Sequence, residues 1–121
     1  MLVAVAGAAW GILRPRGPTH PRIPDVRIPD TVGITVEVLN GSGRAGLARV
    51  ATRALRQLGF DVLFFGTAPD SVSSTEVLAR RGDSLAAALV AKALGTGRVR
   101  VARDTLLRLD VTVLLGADYK P

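Results

Sequence analysis

Cysteine is absent from the 121 residues, which excludes both a disulfide framework and a thiolate zinc site and leaves the redox compartment unread by thiols. Histidine is reduced to His20, which lies in a proline-rich stretch, so no Ser-His-Asp set can be assembled with the serines further on. Ser42, Ser71, Ser73, Ser74 and Ser84 read as caps and loop formers. Without Cys and with one isolated His, only carboxylates are left for a metal, and Asp104, Asp110 and Asp118 are not spaced like a calcium loop. These absences assign no catalytic residue, no metal ligand and no cofactor. Aromatic residues are equally scarce: Trp10, Phe60, Phe64, Phe65 and Tyr119. Base-stacking platforms need aromatics on an exposed sheet face, and these sit where a core or a membrane would use them.

What the chain does have is arginine. Its formal charge is +6, and Lys92 and Lys120 are the only lysines. Such a balance suits nucleic acid, anionic lipid or an acidic wall polymer. The length allows one small domain, which buries about 60 to 70% of its unfolded surface and has little room for a large cleft.

Three stretches differ in texture. Residues 1–14 contain the uncharged apolar run Leu2 to Leu13, with Trp10 near its end and Arg14 and Arg16 beyond it. A full span takes about 20 residues, so the run reads as the remnant or C-terminal part of a membrane anchor, with a cleaved signal peptide and a frayed terminus as the alternatives. In residues 15–31, Pro15, Pro18, Pro21 and Pro24 recur at every third position, followed by Pro29. That spacing matches the polyproline II turn and predicts a semi-rigid spacer. Residues 32–121 carry a compact α/β pattern.

Within that domain Ile34, Val36 and Val38 alternate with Thr35, Glu37 and Leu39 as a first strand. Leu47, Val50, Ala51, Ala54, Leu55 and Leu58 fall on one helical face, with Arg49, Arg53 and Arg56 on the opposite one. Gly59 suits a left-handed stop. Phe60 to Phe65 is a second strand whose nearly continuous apolar character places it at the centre of a sheet, parallel to the first. After a turn-rich loop from Gly66 to Ser73 the pattern hairpins back through a third strand, Ser74 to Ala79. A second helix, Leu85 to Leu94, is capped by Asp83 or Ser84 and closed by Gly95. A short Arg-guarded edge strand at Val99 and Val101 follows, then a helical turn over Asp104 to Leu109 and a last strand over Asp110 to Leu115. The fold expected is a two-layer α/β sandwich of β-α-β-β-α-β-like order, with a four- to five-stranded mixed sheet and two main helices.

One motif has a chemical reading. Gly41, Gly43 and Gly46 spell G-x-G-x-x-G between strand and helix, the arrangement that cradles a pyrophosphate on backbone N–H groups. A dinucleotide site also wants an acidic residue at the end of the second strand, and Phe65, Gly66 and Thr67 stand there instead. The glycines therefore read first as a tight strand-to-helix turn, capped by Asn40 or Ser42, with room for one anionic group beside Arg44. Asn40, Gly41, Ser42, Gly43, Arg44, Arg49, Arg53 and Arg56 are the candidate binding residues.

The run Val36 to Ala48, the Leu58-Gly59-Phe60-Asp61-Val62 junction and the ending Asp110 to Tyr119 resemble the LytR C-terminal domain family, over about Ile34 to Tyr119. Members occur after the catalytic domain of LytR-CpsA-Psr envelope proteins or alone behind a membrane anchor. Position 45 departs from the pattern: members often carry Pro there, and this chain has Ala45. The resemblance implies a membrane-tethered module on the extracytoplasmic side, associated with bacterial cell-wall assembly; the function expected is that of a non-catalytic module that binds a wall polymer or an envelope protein. Glycopolymer transfer belongs to the other domain of the two-domain members, and no catalytic residue carries over. Two rival readings are a nucleotide-binding enzyme using the Gly41 to Gly46 loop and a cytoplasmic nucleic-acid-binding protein.

Overall fold

The computed structural model describes residues 31–121. The anchor expected over residues 1–14 and nearly all of the proline spacer lie outside the described residues. Elements follow as β1 (Thr35–Asn40), α1 (Leu47–Gln57), β2 (Asp61–Thr67), β3 (Glu76–Ala79), α2 (Ser84–Leu94), β4 (Arg98–Val101) and β5 (Val111–Leu115). The expected α/β architecture is present: the described residues form one five-stranded mixed sheet and two helices.

Strand order is β2-β1-β5-β3-β4. β1 is parallel to β2 and to β5, whereas β3 is antiparallel to β5 and parallel to β4. The last strand of the chain is thus the middle of the sheet. Val111, Thr112, Val113 and Leu115 are all buried, as a strand flanked on both edges must be.

The structure corrects three expectations from the sequence. β2 is an edge strand, not a central one, and Leu63 and Phe64 are 53% and 54% exposed. Its unbroken apolar run arises from a bulge: Val62 pairs with Val36 and Phe64 with Glu37, so Leu63 is the extra residue and the alternation slips by one. The chain does reverse direction after β2, but β3 makes no hairpin with it. Instead β3 crosses to the far side of β5, because β5 occupies the edge of β1 that β2 leaves free. Asp104 to Leu109 is a turn and not a helical turn: the Asp104 carboxylate accepts from Leu106 N–H at 2.9 Å, and its carbonyl from Leu107 N–H at 3.2 Å.

The α1 face also differs from the periodicity reading. Leu47, Ala48, Ala51, Thr52 and Leu55 are buried, while Val50 and Leu58 are 40% and 51% exposed. The helix is rolled toward small residues, since Ala48 and Ala51 let it approach the sheet closely. Its end is a Schellman turn: Gly59 at φ 97° donates to Arg56 O, and Phe60 N–H reaches Leu55 O at 3.2 Å. Phe60 is thereby folded into the core beside Leu55. α2 starts at Asp83, whose carboxylate accepts from Leu85 and Ala86 N–H, and stops at left-handed Gly95, as its sequence predicts. The core is one cluster made from the inward face of the sheet and both helices.

Candidate functional site

The glycine motif turns out to be held by its own polar residues. Asn40 Oδ1 accepts from Ser42 N–H at 3.0 Å and from Ser42 Oγ–H at 2.6 Å, while Asn40 Nδ2 donates to Arg44 O at 2.8 Å. Ser42 Oγ in turn accepts from Arg44 N–H. These bonds close the loop upon itself, so neither Asn40 nor Ser42 caps α1. The N-cap is Gly46, left-handed at φ 86°, with no side-chain cap. Gly41 has another reason: a Cβ there would lie 2.9 Å from Val72 Cγ2 and 3.2 Å from Leu115 O.

Arg44 lines a cavity of about 300 Å³ with Asn40, Gly41 and Gly43, and its guanidinium is tied to the C-terminal segment. Its Nη2 donates to Ala117 O at 3.1 Å and to Tyr119 O at 2.6 Å. The two signature stretches therefore meet. On the other side of that contact Asp118 Oδ1 accepts from Thr75 N–H and Thr75 Oγ–H, at 2.9 and 2.7 Å, and Thr75 Oγ accepts from Gly116 N–H at 3.0 Å. At the opposite end of β5, Asp110 Oδ2 accepts from Thr35 N–H and Oγ–H in the same manner. A pair of Asp–Thr clasps brackets the central strand, which is the role of Asp110 and Asp118. Tyr119 is buried, and loss of hydration raises its hydroxyl pKa above the ordinary 10.0.

Arg49, Arg53 and Arg56 stand elsewhere, along the side of α1 that overlooks β2. With Thr52, Gln57 and Phe65 they line a groove of about 360 Å³. Arg49 lies over the Phe65 ring, 5.5 Å from its centroid, which fixes the guanidinium through a cation–π contact. Arg56 donates to Val62 O at 2.8 Å. Among the described residues Arg53 has neither an ion pair nor a hydrogen bond. No acidic residue is present in the helix sequence from Leu47 to Gln57, so the row is not neutralised from within.

Thr52 was not foreseen from the sequence. It is 2% exposed and its hydroxyl lacks a hydrogen-bond partner, although threonine in a helix normally satisfies itself on the preceding turn. No sequence signal marks it, because only packing decides which hydroxyl is stranded. Among the described residues there is no group of three His, Cys, Asp or Glu placed to hold a metal ion, and no helix is long and apolar enough to cross a membrane.

Two solved structures match the chain. The soluble domain of a conserved hypothetical secreted protein of Mycobacterium marinum, the Rv2700 ortholog, is 24% identical, with a TM-score of 0.58 over 79% of this chain and 67% of that one. The C-terminal domain of RV0431 is also 24% identical, over 85% of this chain and 84% of that one, with a TM-score of 0.41. No curated protein matches. The family model described as LytR cell envelope-related transcriptional attenuator matches residues 33–119, from the turn before β1 to the buried Tyr119. That match takes in both the glycine loop and the C-terminal clasp it binds, and the chain belongs to this LytR C-terminal domain family of the cell envelope.

Proposed function

We propose that the chain is a non-catalytic module of the bacterial cell envelope, tethered by its N-terminal segment with the domain on the extracytoplasmic side, that binds an anionic component of the wall through the α1 groove. The observation that carries this reading is the row of Arg49, Arg53 and Arg56 beside Phe65, unneutralised within its own helix and converging on one groove. The tether is supported by the apolar, uncharged run Leu2 to Leu13, and the location by the family's relation to the envelope. Asn40, Gly41, Ser42, Gly43 and Arg44 build the loop and its clasp in this reading, and the ligand contacts fall to the arginine row. Stacking of a sugar ring or an apolar group on Phe65 would complement the charges.

The full chain is expected to sediment with purified wall sacculi carrying their attached glycopolymer, and to be released as salt rises. Arg53→Gln, which removes a side chain with no structural bond, lowers that binding by up to about fivefold, the equivalent of about 1 kcal/mol for an exposed pair. No sedimentation at low salt, or sedimentation indifferent to Arg53, overturns the wall-polymer reading. A topology reporter at the C-terminus reads the tether separately, since a cytoplasmic signal there overturns it.

A further inference from the structure

The two edges of the sheet are built differently. β4 is four residues long and presents Arg98 and Arg100, a charged guard against pairing. β2 is seven residues long, carries no lysine, arginine or proline, and exposes Leu63 and Phe64. Long apolar edges without charged guards are the sites at which sheets accept another strand, and the bulge at Leu63 confines such pairing in β2 to the regular stretch that follows it.

The polar edge of β2 can be read from its bonds to β1. Asp61 N–H donates to Ile34 O and Ala68 N–H to Asn40 O. Alternation then turns Gly66 toward β1 and leaves the N–H and C=O groups of Phe65 and Thr67 on the outer side. Val62 also faces outward, where Arg56 occupies its carbonyl. Among the described residues the regular free edge thus begins after the Leu63 bulge and runs to Thr67. On its helix side stands the arginine row; on its other side lie Leu63 and Phe64.

Resting on the anionic reading of the groove, we infer that β2 is a strand-addition site and that its partner is an extended acidic polypeptide segment with alternating apolar and acidic side chains. Side chains on one face of a strand repeat every 6.6 to 6.8 Å or so. Arg49 and Arg53, four residues apart on a helix, are offset along its axis by about 6 Å. Alternate carboxylates of an added strand would therefore meet successive arginines, while the intervening side chains cover Leu63 and Phe64. A second copy of the chain fits less well, because pairing β2 with β2 would set two arginine rows against each other. The chain's own stretch from Pro21 to Asp30 has Arg22 and Arg27 beside Asp25 and Asp30, and so offers no net acidic charge.

The test uses the full chain and a synthetic peptide of alternating valine and glutamate, with two controls: the same peptide N-methylated at every second backbone nitrogen, and a valine–lysine peptide. Amide hydrogen exchange at Phe65 and Thr67 should slow about tenfold at a peptide concentration near ten times its Kd. Exchange along β4 should not change, and neither control should protect. Leu63→Lys, at a half-exposed position, copies the guard of β4; it should abolish the protection without moving the urea midpoint. Arg53→Gln should weaken binding at low salt only. Equal binding of the N-methylated peptide overturns strand addition while leaving the anionic groove standing. Backbone-dependent binding indifferent to Arg53 and to salt keeps strand addition and removes the groove and the acidic partner. Slow exchange at Phe65 and Thr67 in the free monomer means that the chain covers its own edge, and a dimer that Leu63→Lys dissociates means that a second copy does; either result overturns the inference, as does a peptide that does not bind.

Discussion

Replacing Arg44 separates a structural role from a ligand-binding one. Its guanidinium makes two charge-assisted bonds to backbone carbonyls, one partly buried at Tyr119 O and one exposed at Ala117 O. A hydrogen bond to a charged group contributes about 1.5–3 kcal/mol when protected from water, and solvent lowers the exposed one to about 1 kcal/mol or less. Arg44→Ala should then cost about 2–3 kcal/mol, part of it through loosening of Tyr119, which is anchored in the core. For a domain of this size the total stability is about 5–14 kcal/mol, so the loss is large. The midpoint temperature should fall by about 10–20 °C. Arg44→Lys should recover only part of this, since a single ammonium cannot span both carbonyls as the planar fork does. Urea unfolding of the full chain and both variants, followed by circular dichroism, measures the difference, with an unchanged slope confirming that the two-state comparison holds. Wall binding, corrected for the folded fraction, should be untouched. A midpoint shift equivalent to less than about 0.5 kcal/mol for Arg44→Ala, combined with lost sedimentation on sacculi, would refute the clasp and return Arg44 to the binding site.

Three further outcomes follow from the same region. Gly116→Ala should destabilise by about 3 kcal/mol or more, because its Cβ would lie 2.7 Å from the backbone nitrogens of Ser74 and Thr75, which cannot rotate away. Gly46→Ala, at φ 86° with nothing within 4 Å, should cost only the left-handed conformation, about 1–2 kcal/mol; equal losses at the two sites in urea titrations would contradict this distinction. Tyr119 is the single tyrosine, so ultraviolet titration of its phenolate band is unambiguous, and it should ionise only above its ordinary 10.0. A raised folded pKa means that the unfolded chain loses its proton first; the contribution to stability is complete below pH 10 or so and falls as pH rises beyond it. A normal titration midpoint in the folded protein would show the hydroxyl to be hydrated.

Much of the fold was legible in the sequence because its signals are local. The strand at Val36 and Val38, the Asp83 cap, the left-handed stops at Gly59 and Gly95 and the Arg-guarded strand at Val99 each depend on residues within a turn or two of one another. The arginine row was legible for the same reason, since three positions on one helix share a side by geometry alone. Thr52 could not be found in this way. Nor could the employment of Arg44, whose partners stand at Ala117 and Tyr119.

The sequence by itself determined the α/β class, the helix limits, the absence of thiol and histidine chemistry in the domain, and the family signature at its two ends. Only the tertiary structure decided which strand lies at the centre. An apolar run does not record how many neighbours it will have, and the bulge at Leu63 gave the edge strand β2 the appearance of a buried one. Insertion of β5 between β1 and β3 then left β2 with a free edge beside the arginines and set Arg44 against the chain end. Each of these outcomes depends on pairing between residues far apart in the chain, which local periodicity does not encode.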